Sequence, residues 1–334
     1  MNLVLQAFEL VIFIVTIYCF HAGTVTGNFE VSIAALWQRI FNRITLEQKD
    51  EWHLAMQKVD MTNLLTVNAE PIREWLERGD WHDGKQIHRV RVCIKKLRSL
   101  LKLIRDLSDS DIPVTRMIDN LKSMSQCLSG QRDFDVVFGI LRAKVAKEEN
   151  DACRESFVLI EKLLDQAFQT TDSEPAPLRR SGQVVVTAIE GLPSIKLSKK
   201  KLAEMLSANT GKICKKGHKV LEKTDCVQLH KLRKKIKTLF YQITILSEAG
   251  LAMNLQTKKL KKLGSRLGKI HDYCVLEKML YELRQDDSTR NKIQQADLQR
   301  VQDYVDAQRQ KYLTQSSKLH RKWCRQQGGA VEEA

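Results

Sequence analysis

Apolar side chains recur three and four positions apart along almost the whole chain from about residue 50 onward. This spacing places them on one face of an α-helix. Runs that alternate apolar and polar residues are almost absent, and the 334 residues include only 5 prolines. One β-branched run, 184–189, is too short and isolated to have an obvious strand partner. The pattern therefore predicts an all-α fold.

The helical periodicity stops in one segment, 170–183, where Ser, Pro and Gly cluster. The stretches on its two sides resemble each other. Each has a cationic stretch that begins His-x-x-Arg and, at a comparable distance downstream, a Gly-containing segment that ends in Asp and enters another helix. The aspartates are Asp133 and Asp272. Two features in the same order predict a duplicated helical unit, with halves 60–170 and 184–325 around a linker.

The first cationic stretch forms the polar face of an amphipathic helix. At 100° per residue, its basic groups fall in a stripe of roughly 80° that contains no acid; they are His88, Arg91, Lys95, Arg98 and Lys102. Like charges three and four positions apart repel by a few tenths of a kcal/mol per pair. A solvated basic face is the alternative, but a face that served solubility alone would interleave glutamates. The stripe therefore indicates a negatively charged ligand. Phosphate suits best, because the guanidinium fork matches its geometry.

The second cationic stretch repeats the first three positions of this stripe, as His230, Arg233 and Lys237. It departs from the first at two places, where Phe240 and Thr244 stand in the positions of Arg98 and Lys102. Two neighbouring side chains compensate in part: Lys234 and Tyr241.

The overall charge narrows the class of partner. Lys+Arg of 55 against Asp+Glu of 40 gives a net charge of +15. A positive field of this size concentrates polyanions such as nucleic acid, anionic lipid or a phosphate polymer. Aromatic residues make up only 6% of the chain, which argues against a platform on which single-stranded bases would stack.

The 8 cysteines include no CxxC pair, and this scatter predicts reduced, individually packed thiols. Cys214 and His218 lie four positions apart, as do Cys226 and His230. Such spacing occurs in zinc sites, but lysines crowd the segment and coincidence is the preferred interpretation. We predict no metal and no cofactor.

Residues 1–50 are treated apart from the helical domain. Their apolar run, 10–20, is extended by residues 1–8 and interrupted by Gln6 and Glu9, which makes it marginal for a membrane span. Three interpretations stay open: a membrane anchor within residues 1–25, a peripheral helix, or translated sequence upstream of the true start. In the first case, the positive-inside rule keeps the remainder cytoplasmic. A short tail, 326–334, ends the chain.

The paired motifs, in this order, resemble the CHAD family, named for histidines in an all-helical domain. The resemblance rests on "HRVRVCIKKLR", "QRDFDV", "HKLRKKIK" and "LGKIHD" and extends over residues 60–325. It implies two pseudo-symmetric four-helix bundles whose basic helices line a central positively charged groove or pore. It also implies binding of inorganic polyphosphate without catalysis, in the cytoplasm and at polyphosphate granules.

By the same resemblance, a set of side chains would contact phosphates: His88, Arg91, Lys95, Arg98, Lys102, Arg132, His230, Arg233, Lys234, Lys237 and Tyr241. Asp133 and Asp272 would cap helices or orient basic side chains. Because Phe240 replaces an expected cation, the second half is predicted to bind phosphate less tightly or over a shorter length. The chain has no Glu-x-Glu-x-Lys strand, so no triphosphate-tunnel domain is expected.

Two other functions compete with polyphosphate binding. A phosphohydrolase could use His88 or His230 as nucleophile or general acid, but neither cationic face offers the carboxylates that hold metal in phosphoryl transfer. A nucleic-acid-binding protein is compatible with the charge, yet no recognition-helix motif, RNP aromatic set or zinc finger is present.

Overall fold

Helices account for nearly all residues that the computed structural model describes, which are 57–78, 83–108, 112–128, 130–167, 176–251, 257–286, 289 and 291–327. The helices are α1 (Met61–Arg78), α2 (Gly84–Leu107), α3 (Val114–Cys127), α4 (Gly130–Val145), α5 (Asp151–Ala167), α6 (Ala176–Glu190), α7 (Lys199–Lys223), α8 (Cys226–Glu248), α9 (Thr257–Gln285) and α10 (Gln295–Arg325). Two short strands are β1 (Lys58–Asp60) and β2 (Lys196–Ser198). The predicted all-α class is confirmed.

Parts of the sequence-based prediction fall outside these residues. The predicted N-terminal extension, 1–50, is among them, as is most of the tail, 326–334. Within the described residues, no helix combines the length and the apolar content that crossing a bilayer requires.

The helices pack in two sets of four. Helix α1 packs on α2, α2 on α3, α3 on α6 and α6 back on α1, and the same cyclic order relates α7, α8, α9 and α10. Leu97 and Leu101 of α2 are fully buried, as is Ile236 of α8. One continuous apolar core includes side chains of both sets, and the contact between α2 and α8 joins them. The two cationic stretches therefore lie on helices that touch each other.

Helices α4 and α5 form a hairpin that packs away from the first set of helices. Helix α4 contacts α9, and α5 contacts α10. A second apolar core fills this region. There Phe157 meets Tyr304 edge to face, with 5.4 Å between ring centroids. The hairpin thus places the start of α4, which carries Arg132, against the middle of α9.

The predicted linker, 170–183, is partly helical. Helix α6 begins at Ala176, and Pro177 in its first turn is compatible with a helix start because the missing N–H is not needed there. Gly182 allows close packing: a Cβ there would lie 3.3 Å from Met124 Cε of α3 and 3.5 Å from Ile72 Cγ2 of α1. The proline and glycine that predicted a linker therefore have other roles: Pro177 lies at a helix start, and Gly182 lies at a contact between helices. Residues 168–175 lie outside the described residues.

The two strands pair antiparallel, with Val59 opposite Leu197. The backbone N–H of Met61 donates to the carbonyl of Ile195 at 2.8 Å, and the N–H of Lys199 donates to the carbonyl of Gln57 at 2.9 Å. This ladder fixes the start of α1 beside the start of α7.

The prediction that all the cysteines are reduced is wrong for four of them. Disulfides join Cys214 to Cys324 and Cys226 to Cys274. The partners are 110 and 48 residues apart in sequence, so no local spacing indicates them. Packing of α7 on α10 and of α8 on α9 brings them together.

Candidate functional site

The two helices with cationic stretches begin in the same way. Asp83 caps α2 by accepting a hydrogen bond from the backbone N–H of Lys85 at 2.8 Å. Asp225 caps α8 by accepting from the N–H of Val227 at 2.8 Å. In each helix the capping aspartate stands five residues before the histidine of the His-x-x-Arg motif. The caps therefore fix both helices in the same register relative to their cations.

Burial of the apolar face of α2 determines where its cations lie. Val90, Ile94, Leu97 and Leu101 are buried in the core, so the basic stripe occupies the adjoining face. Arg91, Arg98 and Lys102 are half-buried, whereas Lys95 is exposed. The Nη1 atom of Arg91 donates to the carbonyl of Leu128. The Nε atom of Arg98 is buried and has no hydrogen-bond partner within the described residues.

On α8, Arg233 and Lys237 are half-buried and lie against α9. A Cβ at Gly268 would lie 3.5 Å from Arg233 Nε, and one at Gly264 would lie 3.1 Å from Lys237 Cε. The glycines of "LGSRLGKIHD" therefore make room for basic side chains inside one continuous helix. The prediction that this segment precedes a helix is wrong for the second half. Arg233 Nε, like that of Arg98, is buried and lacks a partner within the described residues.

Helices α2 and α8 are joined by a buried hydrogen bond. The Nε2 atom of Gln242 donates to the carbonyl oxygen of Ser99 at 3.0 Å. Both residues are buried, with exposed fractions of 3% each. Each neighbours a predicted site residue, Arg98 and Tyr241 respectively. This bond therefore sets the distance between the two cationic faces.

The cations of the two helices act on one another. Burial lowers the pKa of the Lys95 ammonium, and together with the charges of Arg91, Arg233, Arg132 and Lys237 it brings the value to about 8. These groups come from α2, α8 and α4. The exposed Lys95 ammonium thus lies among cations of three helices. Positive charge is therefore concentrated there without an equal number of acids.

The same crowding continues toward the other end of α2. Burial lowers the pKa of Lys102, and the charges of Arg98, Arg105 and Lys234 add to the effect. Burial likewise lowers the pKa of Lys234 on α8, followed by the charges of Arg98 and Arg233. The predicted cations of α2 and α8, with His88 as the exception, are thus brought together.

Arg132 enters this group of cations from α4. Its Nη1 atom lies 3.5 Å from Oδ1 of Asp133, and its Nη2 atom lies 3.7 Å from Oδ1 of Asp272. Asp133 lies in the first turn of α4, as its predicted role in capping or orientation requires. Asp272 is buried in the middle of α9, so it orients a basic side chain and caps nothing. Burial raises the pKa of Asp272, while the charges of Arg132 and Arg233 oppose the rise.

Sequence reasoning missed one histidine of the site. The ring of His271 on α9 lies against that of His230, with 4.3 Å between the centroids and the ring planes tilted by 45°. Burial lowers the pKa of His230 to about 4 and that of His271 to about 3, and the charges of Arg233 and Lys234 act on both. His230 is therefore neutral at pH 7, although the sequence grouped it with the potential cations. A signal was available: His271 directly precedes Asp272, just as Arg132 directly precedes Asp133.

The remaining predicted residues occupy different surroundings. His88 is exposed in the second turn of α2, and no contact within the described residues links it to the crowded cations. Tyr241 is half-buried, and burial raises the pKa of its hydroxyl while the charge of Arg233 lowers it. Phe240 faces Lys237, whose Nζ lies 5.8 Å from the ring centroid. The aromatic ring thus holds a neighbouring cation by a cation–π contact.

The possible metal ligands near the site are engaged with other groups. Atoms of Cys226, Cys274 and Glu277 lie within 4.8 Å of one another, but the two sulfurs form a disulfide. Both carboxylate oxygens of Glu277 accept hydrogen bonds from Arg309 Nη1 at 2.8 Å. Cys214, the sulfur of the other Cys/His spacing that occurs in zinc sites, is also in a disulfide.

Comparisons with known proteins agree with the family resemblance. A family model described as the CHAD domain matches residues 67–281. Among solved structures, the crystal structure of the CHAD domain from the plant Ricinus communis is similar, with 17% sequence identity and a TM-score of 0.47. The similarity covers 81% of this chain and 93% of that chain. No curated protein matches the sequence.

Proposed function

The chain belongs to the CHAD domain family, and we propose that it binds inorganic polyphosphate without catalysis, along a groove between the cationic faces of α2 and α8. The groove and the internal duplication of the two four-helix sets are parts of this proposal. The residues assigned to binding are those predicted from the sequence, with His271 added beside His230.

One observation carries the proposal: the positive charge between α2 and α8 exceeds what the protein neutralises. Burial and, after it, the charges of four neighbouring cations lower the pKa of Lys95 to about 8, so part of this depression reflects unrelieved repulsion. The buried Nε atoms of Arg98 and Arg233 lack partners within the described residues. A buried donor without a partner costs stability. A ligand with many anionic oxygens would accept these hydrogen bonds and relieve the repulsion.

The arrangement of the cations favours a linear ligand over a single phosphate. From Arg91 to Lys102 the stripe extends about 16 Å along α2, at 1.5 Å per residue. Cations of α8 act on both ends of the stripe: besides burial, the charge of Arg233 lowers the pKa of Arg91, and the charge of Lys234 lowers the pKa of Lys102. Arginine forks and lysine ammonium groups suit the repeated phosphates of a polymer.

Two features support binding over hydrolysis. Two carboxylates beside the crowded cations, those of Asp133 and Asp272, both lie against Arg132. They are therefore charge partners of a guanidinium, whereas phosphoryl transfer commonly uses carboxylates to hold metal ions. His230 and His271 have lowered pKa values of about 4 and 3, too low for a protonated general acid at pH 7. Release of phosphate from polyphosphate in the presence of magnesium would contradict a non-catalytic role.

The test is a titration of labelled long-chain polyphosphate at several salt concentrations. We expect binding to weaken steeply with salt, because each phosphate contact releases counterions. Arg91→Glu and Arg233→Glu should each lower affinity about tenfold or more, since a charged hydrogen bond contributes roughly 1.5–3 kcal/mol. Lys96→Glu and Lys231→Glu make the same change of charge on other faces of the same helices and serve as controls. A flat salt dependence, or equal losses in the controls, would contradict the proposal.

Competition with nucleic acid addresses the remaining alternative. Duplex DNA and RNA should displace polyphosphate poorly at equal phosphate concentration, because the sequence has no recognition-helix motif, RNP aromatic set or zinc finger. Equal displacement would assign the site to polyanions in general.

A further inference from the structure

A third set of cations lies on the last turns of α10, outside the predicted site. Its members are Lys318, Arg321, Lys322 and Arg325. Their spacing of three, four and seven positions places them within a stripe of roughly 100° on one helix face. All four are exposed. The stripe repeats the physical character of the α2 stripe: like charges stand close together and no acid separates them.

These four side chains, with Gln326, line an open cavity of about 600 Å³. Among the described residues, no acid is part of the lining and none of the four cations forms an ion pair. Other arginines of the same helix do: Arg300 lies 3.0 Å from Asp297, and Arg309 lies 2.8 Å from Glu277. A surface with one sign of charge raises the local concentration of counterions.

The helix macrodipole explains only part of this set. Cations are favoured near a helix C-terminus, and the effect falls off beyond the last turn. Lys322 and Arg325 lie in the last turn of α10, whereas Lys318 and Arg321 precede it. Stabilisation of the helix end therefore leaves two of the four unexplained.

The cavity lies on a different side of α9 from the crowded cations of α2 and α8. Lys259 of α9 contacts the side chain of Gln326 at the cavity, whereas the charge of Lys261 lowers the pKa of Lys237. Two residues apart on a helix, these lysines point in directions about 160° apart. One bound phosphate segment therefore cannot neutralise both groups of cations.

We propose that the cavity of Lys318, Arg321, Lys322 and Arg325 is a second phosphate-binding site, and that the protein uses it to bridge two segments of polyphosphate. The identity of the polymer rests on the proposed function. Two sites on one protein raise avidity for a long chain, and they cross-link separate chains when the protein is abundant.

The test compares two probes and two sets of substitutions. A short polyphosphate of a few units reports the number of equivalents bound, by calorimetry. A long chain reports cross-linking, by light scattering. The cavity variant is Lys318→Ala, Arg321→Ala, Lys322→Ala and Arg325→Ala together. Its control removes the same charge from exposed positions elsewhere: Lys162→Ala, Arg180→Ala, Lys196→Ala and Lys201→Ala.

We expect the wild-type protein and the control to bind two equivalents of the short chain and to scatter strongly with the long chain. The cavity variant should bind one equivalent with the first dissociation constant unchanged, and scattering should fall to that of the free protein. Two equivalents and undiminished scattering in the cavity variant would overturn the inference.

The double substitution Arg91→Glu and Arg233→Glu separates this inference from the proposed function. If that variant binds one equivalent of the short chain, and binds none once the cavity substitutions are added, the cavity is a phosphate-binding site. This conclusion would hold even if the groove proposal failed. One equivalent bound by both the wild-type protein and the cavity variant would leave the groove standing and remove the second site. Phosphatidylserine vesicles test the other source of phosphate, which is a lipid headgroup. If the wild-type protein binds these vesicles, the cavity variant does not, and no second equivalent of polyphosphate is bound, then the cavity binds lipid headgroups. That result would overturn the proposal that the protein bridges two polyphosphate segments.

Discussion

Gln242 of α8 donates a hydrogen bond to the carbonyl oxygen of Ser99 on α2 at 3.0 Å, and both residues are buried. The bond joins the two cationic helices beside Arg98 and Tyr241. Packing in the shared apolar core holds the two helices together against the repulsion of their cations, and this hydrogen bond adds a contact of defined geometry. A polar tie between their backs keeps the two charged faces at a fixed distance.

Replacing Gln242 with Met should loosen this tie. The side chain keeps its approximate volume but loses the donor, so we expect a loss of about 0.5–1.5 kcal/mol in the free energy of unfolding. Polyphosphate affinity should fall as well, because the spacing of the faces changes. Thr244→Val is the control, since the Thr244 hydroxyl donates only within its own helix, to the carbonyl of Phe240. Urea unfolding and polyphosphate titration measure the two effects, and unchanged affinity in Gln242→Met would argue against a role in spacing.

Binding of polyphosphate should be linked to proton uptake near pH 8.5. The free protein holds the pKa of Lys95 at about 8, so a large fraction of this amine is neutral at that pH. A polyanion beside it raises the pKa, and the amine takes up a proton on binding. Affinity should therefore fall as pH rises above about 8. Calorimetry in buffers of different ionisation enthalpy measures the uptake, which Lys95→Gln should abolish.

Lys95→Gln should also stabilise the ligand-free protein at pH 7. The lowered pKa means that the unfolded chain binds the Lys95 proton more tightly than the folded protein does. The cost to folding is fully present below pH 8 and disappears as pH rises from about 8 to 10.5. Since the ammonium is exposed and screened by solvent, we expect a gain of about 1 kcal/mol. A gain that persisted at pH 11 would point to a cause other than charge.

The neutral histidines predict a loss of stability in mild acid. The pKa values of His230 and His271 are lowered to about 4 and 3 in the folded protein, so the unfolded chain binds more protons from about pH 6.5 downward. The free energy of unfolding should fall as pH decreases from 6.5 to 4, by roughly 2 kcal/mol for each ring. His230→Gln and His271→Gln should flatten the profile. The exposed His88 offers the control, His88→Gln, which should follow the wild-type curve.

Two glycines in α7 should respond in opposite ways to alanine. A Cβ at Gly217 would lie 2.3 Å from Nε2 of the buried His320, whereas nothing lies within 4 Å of one at Gly211. Gly217→Ala should therefore cost about 1–3 kcal/mol through overpacking. Gly211→Ala should stabilise the helix by about 0.4–1 kcal/mol. Thermal unfolding of the pair measures the difference, and similar melting temperatures would contradict this packing.

Features with a local cause were accessible from the sequence. Helical spacing alone predicted the all-α class, because a buried apolar face needs its residues three and four positions apart. The same spacing predicted that Arg91, Lys95, Arg98 and Lys102 share one side of α2. The aspartate that caps each cationic helix follows local rules too, although its significance emerged only with the structure.

Features that depend on packing between distant segments were not accessible. The disulfides join residues that helix packing brings together, and the sequence predicted free thiols. The start of α6 resembled a linker because Pro and Gly serve helix starts and close contacts as well as loops. The duplicated motif implied that Asp133 and Asp272 play the same part, but only Asp133 lies at a helix start. His271 joins the site through its contact with His230, and its place directly before Asp272 was the one local sign of it.

The ladder between β1 and β2 has a consequence for how the chain is made. Gln57 and Lys199, which flank it, are 142 residues apart. At 5–20 residues per second, a ribosome needs on the order of 10 s to synthesise that interval. Throughout this time the first strand has emerged but its partner does not exist. Closure of the first four-helix set onto its neighbour is therefore a late event in biosynthesis, and slowing translation between the two strands should lengthen exposure of the nascent chain to proteolysis.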